Sequence, residues 1–574
     1  MIGTLVAALA VCGSALAIGQ AAIALCGIRR WSWLAPPAGL ALLCAICWGT
    51  LRLPGDGTIS ACLVLLLTVA AVAGLWGRLE GAGEGLRRGL PVALLALGAA
   101  LLPFVVEGHF GILGTGFNPD MSQHLLAADR LANGEGTQLL HQGYPLGPHA
   151  IVIALGKGLG TDLVDGFSGL TIAVAVLASL TALTAFAERG AVLRTAAALA
   201  VGLTYMVASY FAQGAFKETM QALFFLAFVL ALREASQRPE WRPLPLRFVP
   251  AALLAVGSVY TYSFAGLIWL FGAAAVWLVL ELVSGRPAAG RPLLWACLAF
   301  FVLIAPEIGR MIDFQSFETF DPNGPGLGNL FGPISPFEAF GIWPSGDFRL
   351  SPGDGAVPPL GYYLGAAFAS ILFLYGVVLC WRRRETALIA ALAAAVFAYA
   401  AARLVGTPYA AAKAVEIAAP LAVLAILVPL LSRPVGLLFL LASGGCSLLV
   451  LANAPVGPSS YTPALTGLRE DLGAGPTVVL ASRQLLADEH GASYIAWELR
   501  GGKVCIESEE RAGGRLPPGT RFVVTEGTPT DPPFPRLRLR RIAPPYLLWE
   551  QTDPLRGDSP CPLIAVRQTP SSPR

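Results

Sequence analysis

Charge is scarce in this sequence. Asp, Glu, Lys and Arg make up 13% of its 574 residues, about half the share of an ordinary soluble domain. A water-facing globule of this length is therefore excluded. Lysine is rarer still, with four residues against 35 arginines, and the net charge is only +3. That surplus is too small for nucleic acid to be the main partner. Histidine occurs five times. No internal repeat at a fixed period is found. Of ten cysteines, eight (Cys12, Cys26, Cys44, Cys47, Cys62, Cys297, Cys380 and Cys446) lie in apolar runs and read as packing residues. The Cys44-x-x-Cys47 pair sits inside such a run, which argues against a redox or metal site. Cys505 and Cys561 lie in a polar tail and are expected to pair if that tail is outside the cytoplasm.

Hydrophobic residues make up 55% of the chain, many in runs of about 18–22, the length that crosses a hydrocarbon core roughly 30 Å thick. Fourteen spans are expected, at 2–26, 35–52, 59–77, 90–106, 165–187, 192–210, 217–233, 248–263, 265–284, 292–309, 361–381, 386–404, 412–431 and 434–452. The break between 263 and 265 rests on the polar step Tyr260-Thr261-Tyr262-Ser263. The first basic residues, Arg29 and Arg30, follow the first run, which favours a retained helix with its N-terminus outside over a cleaved signal peptide. In that orientation 17 basic residues face the cytoplasm and eight face out, as the positive-inside rule requires. An inner or plasma membrane location follows, with the C-terminus outside. The fold class is then an all-α polytopic membrane protein with a small C-terminal α/β domain. In the tail, 454–574, Thr477–Ala481, Val504–Glu507 and Arg521–Thr525 read as strands, Gln484–Leu499 as a helix and Leu537–Glu550 as β-rich. The tail carries no glycine-rich phosphate loop and no metal motif.

Two long polar loops, 107–164 and 310–360, face outward in this threading. The first holds His109, His124, His141 and His149, with Glu107, Asp120, Asp129 and Glu135. Asp120 and His124 are four residues apart and share a face if Pro119 starts a short helix. Such a pair offers a general base and leaves a divalent metal site open. The second loop contributes Asp321, Glu338, Asp347 and Arg349, with Phe337, Phe340 and Trp343 as surfaces for stacking on a sugar or for the headgroup level. A further set of ionisable residues stands near span ends: Lys217, Glu218, Glu307, Arg310, Arg403, Lys413 and Glu416. Residues at that depth usually face a cavity or a partner, because burying them alone is expensive. All are expected toward the outer face, where they would line an open chamber. Snorkelling to the headgroups is the alternative, and it suits Arg310 and Arg403 better than Lys413 and Glu416.

This pattern resembles the GT-C superfamily of membrane glycosyltransferases. Counting the span at 90–106 as the first of a seven-helix module makes 292–309 the seventh. The loops at 107–164 and 310–360 then fall where the family has them. Asp120, in NPDMSQHLLAADRL, matches the family's catalytic acid position, and GYPLGPHAIVIAL, with Tyr144, Pro145 and His149, resembles its tyrosine-proline-rich turn. The resemblance covers 90–360; residues 1–89 look like an addition, 361–453 hold the last spans, and 454–574 form the tail domain. A single Asp stands at 120 with no adjacent acid. The resemblance implies transfer, with inversion, of a sugar from a polyprenyl-phosphate donor to a glycan, lipid or protein acceptor outside the cytoplasm. Asp120 would be the catalytic residue; His124, Tyr144, His149, Lys217, Glu218, Glu307, Arg310, Arg403 and Lys413 would bind substrate. A flippase or transporter of lipid-linked oligosaccharides, and a non-catalytic envelope assembly protein of the same shape, are the rival readings.

Overall fold

A computed structural model describes residues 1–553 other than 56, 286–289, 318–325, 461, 473–475, 483–490, 502–503, 509–515, 517–518 and 529–531. Asp321, Arg286, Cys561 and the first half of the helix expected at 484–499 lie outside the described residues. The described chain is mostly helical and divides into two compact units, one of residues 1–118 and 142–456 and one of 119–141 and 457–574. The second unit thus joins part of the first long loop to the tail.

In the first unit, a helix coincides with every expected span. Among the described residues, eleven helices are long and apolar enough to cross a membrane, so the chain reads as a multi-pass membrane protein. Ala191–Gly202 and Tyr205–Ala212 would together make a twelfth, bent by 54°. Ala35–Leu51, with 17 residues, is shorter than the others. Ile2–Leu25 and Ala35–Leu51 touch through their backbones. A Cβ on Gly19 would lie 1.8 Å from the Ala35 carbonyl oxygen, and one on Gly39 would lie 1.7 Å from that of Ala15. Small residues four apart on both helices, Ala15 with Gly19 and Ala35 with Gly39, permit this approach, which in lipid replaces the hydrophobic drive of water.

The segment Val249–Val283 is 35 residues long but is not one straight helix. Ser263 takes φ 59° and ψ −156°, a break inside the run. A straight helix would set Phe248 and Trp277 roughly 43 Å apart at about 1.5 Å per residue. Their ring centroids are instead 5.5 Å apart, so the two halves fold back on each other at Ser263. The second half, 264–283, has the length of one crossing, and the first, 249–262, is shorter at about 21 Å.

The two ends of the bundle are chemically distinct. At one end Arg233 grips Glu385 with two hydrogen bonds of 2.8 and 2.9 Å, and Gln237 adds a third to the same carboxylate. Glu281 accepts from Thr386 there. At the other end lie Lys217, the Ser263 break, Arg310 and Lys413.

The second unit holds a five-stranded sheet. We label β1 Thr477–Ala481, β2 Val504–Ser508, β3 Phe522–Glu526, β4 Leu537–Ala543 and β5 Tyr546–Gln551; their order is β2-β1-β3-β5-β4. β1 runs parallel to β2 and β3, and the hairpin of β4 and β5 adds antiparallel. The central β1 is buried along its whole length, as expected of a strand covered on both faces. Val479, Phe522, Val524 and Leu548 form one core with Leu465, Leu468, Ile495 and Leu499. Val478, Leu480, Val523 and Trp549 form the other with Phe534 and Leu537. The helix Met121–Ala132 packs against Gly491–Glu498. Cys505, on β2, is disulfide-bonded.

The fold-back has a direct test. Topology reporters placed after Leu246 and after Gly285 should report the same side of the membrane. Opposite sides would show a single straight crossing between them.

Candidate functional site

A cavity of about 320 Å3 lies in the first unit at the end bearing Lys217. The Ser263 break supplies one wall through Thr261, Tyr262, Ala265, Ile268 and Trp269. The end of Thr386–Val405 and the start of Pro408–Leu430 supply another, through Ala402, Val405, Thr407, Ala410 and Lys413. Tyr144, Pro145, Phe314 and Phe317 close it. Ile268 and Val405 are 51% and 76% exposed, so aliphatic side chains that line the cavity also reach the bundle surface.

Its charged groups are few and organised. Lys413 pairs with Glu218 at 3.0 Å and stands 4.1 Å from the ring centroid of Tyr409. Lys217 stands 4.1 Å from the ring centroid of Tyr144. Thr407 accepts from the Ala410 N–H and caps the helix that presents Lys413. Two ammonium groups and one carboxylate therefore face an otherwise apolar space. Such a space suits an anionic head attached to an apolar chain, since the lysines neutralise the head and the aliphatic wall receives the chain.

Arg310 has a different place from the one expected. It is nearly enclosed, and its donors go to protein acceptors: Nε to Glu307, Nη1 to the Gly143 carbonyl at 2.8 Å, and Nη2 to the Val259 carbonyl at 3.1 Å. Val259 is four residues before Ser263, so its carbonyl is the one a regular helix would give to the Ser263 N–H. Arg310 fills that acceptor and steadies the break. On the far side Gln221 donates to the Gly266 carbonyl at 2.9 Å and accepts from Ser258 at 2.7 Å, which ties both halves to Phe216–Gln237. Glu307 is likewise fully engaged, with Trp48 at 3.0 Å, Arg52 and Arg310. Arg52 was not singled out in the sequence; its position at the end of Ala35–Leu51 was the available signal. Arg403 is exposed and is not among the cavity-lining residues.

The histidines separate. His109 and His141 are exposed. His149 is fully buried among the rings of Tyr144, Phe167 and Phe216. That burial holds its imidazole down at about 3, so it is a neutral packing ring at physiological pH. In the second unit, Asp120 caps Met121–Ala132 by position, and its backbone carbonyl accepts from the His124 N–H at 3.2 Å. A carboxylate at a helix N-terminus is favoured by the helix dipole. His124 is buried and Asp120 half-buried. Burial raises the Asp129 carboxyl above its ordinary range, with Glu135 adding to the rise and Arg500, Arg469 and Arg130 opposing it. Among the described residues no three His, Cys, Asp or Glu side chains converge as a metal group, so Asp120 and His124 do not make up a metal site by themselves.

The second long loop also turns inward. Arg349 is bidentate to Asp347, donates to the Phe117 carbonyl at 3.1 Å and lies against the rings of Phe117 and Phe331. Trp343 is buried against Tyr362, and Phe340 stacks on Phe373 at 4.5 Å. Of the three aromatics expected to offer a stacking surface, Phe337 is the exposed one.

Compared with known proteins, the chain matches no family model and no curated sequence.

The placement of Arg310 makes its removal a structural lesion. Arg310→Ala leaves Glu307 with Arg52 as its one cation beside the Trp48 bond, and opens two interior carbonyls. Breaking a buried pair in this way costs about 3–5 kcal/mol. The expected outcome is a clear fall in melting temperature of the purified protein. An unchanged melting temperature with weaker ligand binding would return Arg310 to the ligand.

Proposed function

We propose that the chain is a membrane glycosyltransferase of the GT-C kind. It would move a sugar from a polyprenyl-phosphate donor to a glycan, lipid or protein acceptor outside the cytoplasm, with inversion. The observation that carries this reading is the cavity at the Lys217 end, with two lysines and one carboxylate at an aliphatic opening. It fits a lipid whose phosphate lies at the interface and whose chain runs into the bilayer. The reading takes the protein as an inner or plasma membrane protein with fourteen crossings. Taking the fold-back at Ser263, the bent pair at 191–212 and the short Ala35–Leu51 as one further crossing each would bring the eleven candidates among the described residues to that number. An even count from an outside N-terminus puts the tail domain outside.

In this reaction an acceptor hydroxyl attacks the anomeric carbon, a carboxylate takes its proton, and the lipid phosphate leaves with the bonding electron pair; the resemblance of NPDMSQHLLAADRL to the family's motif is what assigns that carboxylate to Asp120. A positioned base contributes about 10²–10⁴ in rate. Lys217 and Lys413 would balance the charge that grows on the phosphate. Tyr144 and Glu218 hold those lysines in place, and Arg310 with Glu307 maintains the wall beside them.

The flippase reading keeps one supporting observation: Glu416 is an acid fully buried inside the bundle, the kind of interior group that transporters use. Both readings need a lipid-linked ligand, and only the transferase needs turnover.

With a lipid-linked sugar as donor, Asp120→Asn should lower turnover by about 10²–10⁴ while leaving the melting temperature unchanged. Wild-type turnover in that variant would remove Asp120 from the chemistry. Lys217→Met should weaken donor binding in a protein that still folds. Donor affinity equal to wild type would take Lys217 out of the site. A reporter fused after residue 574 should be active only outside the cytoplasm, and cytoplasmic activity would overturn the orientation.

A further inference from the structure

Glu416 is the buried group that the transfer reaction leaves unused. It lies on Pro408–Leu430, has no solvent exposure, and neither carboxyl oxygen has a hydrogen-bond partner among the described residues. Lys413 precedes it by three residues on the same helix, within side-chain reach. The ionised groups acting on Glu416 are Glu218, from Phe216–Gln237, and Lys413. Phenols stand around them: Tyr210 on Tyr205–Ala212, which interacts with both acids, and Tyr262 on Val249–Val283 and Tyr409 on the same helix as Glu416, which interact with Tyr210. Glu338, in the second long loop, also acts on Tyr210. Lys413 is bonded to Glu218 at 3.0 Å and is the ammonium that acts on both carboxyl groups, while Lys217 acts on Glu218 as well. A carboxylate left alone in an apolar interior is far costlier than a neutral carboxylic acid.

We propose that Glu416 is a proton-binding site and that Lys413 links it to the cavity. With Lys413 on Glu218, the proton resides on Glu416. When the ammonium moves one turn deeper to Glu416, the Glu416 O–H bond breaks and an O–H bond forms on Glu218. One proton moves outward as one ammonium moves inward, so the interior keeps the same net charge throughout. The cavity wall then presents a neutral Glu218 in place of a carboxylate, which lowers the repulsion an anionic head would meet. This device does not depend on the glycosyl-transfer reading, since it needs only the two acids and the lysine.

The test uses the full-length protein in detergent, without any ligand. Infrared spectroscopy at neutral pH should show protonated carboxyl absorption that diminishes in Glu416→Gln, a variant that mimics the protonated form and should keep the wild-type melting temperature. Glu218→Gln should also be tolerated, because Lys413 can pair with Glu416. The double variant strands the ammonium, so its loss of melting temperature should exceed the sum of the two single losses. Carboxyl absorption unchanged by Glu416→Gln would overturn the proposal. So would a Glu416→Gln protein that is destabilised or fails to fold, or strictly additive losses in the double variant.

Discussion

A carbonyl released from its helix inside an apolar bundle has to find another donor, because no water is at hand to supply one. The break at Ser263 creates that problem, and the cavity depends on how it is solved. Arg310 reaches the Val259 carbonyl and the Gly143 carbonyl together, and Gln221 ties the two halves to Phe216–Gln237 through Gly266 and Ser258. These bonds fix three things at once: the turn that sends Val249–Val283 back on itself, the loop that carries Tyr144, and the wall formed by Tyr262 and Trp269. Glu307 completes the arrangement by neutralising Arg310 and Arg52. A buried arginine of this kind gives geometric definition more than net stability, because its desolvation offsets much of its attraction.

Charge economy governs the rest of the bundle. Interior ions are paired: Arg233 with Glu385 at one end, Arg310 with Glu307 and Lys413 with Glu218 at the other. The pairs at the cavity differ in kind. The arginine pair is a fork with several fixed acceptors, whereas the lysine pair is one contact on a flexible stem. A lysine can change partners without dismantling its surroundings; an arginine bonded to a carboxylate and two carbonyls cannot. The first therefore suits ligand binding and the second suits scaffolding. The tail solves a separate problem, with a sheet covered on both faces and the helix after Asp120 packed against it within the same unit.

Much of this was legible in the sequence. Apolar runs located the helices, most of them to within a few residues, because the length of a crossing is set by the thickness of the hydrocarbon layer; the exceptions are Ala82–Glu107, which starts eight residues before the expected 90, and 191–212, which is two helices. The polar step at Tyr260–Ser263 marked the fold-back, since a helix turned inside lipid must place polar atoms where its ladder fails. The strands at 477, 504 and 522 were visible from their β-branched runs, and Lys413 with Glu416 stood out by depth alone.

Partnership was not legible. Residue type and depth showed that Arg310, Glu307, Lys217 and Lys413 were costly to bury, but not which partners each would meet. Only the tertiary structure separated Arg310, surrounded by carbonyls from segments 51 and 167 residues away, from Lys413 facing a cavity. His149 shows the same limit: four histidines in one loop suggested shared chemistry, yet packing enclosed one among aromatic rings and left two exposed. Hydrophobic length is a local property and is written in consecutive residues. Which acid meets which base depends on how separate helices pack, and the sequence alone determined the helices without determining those meetings.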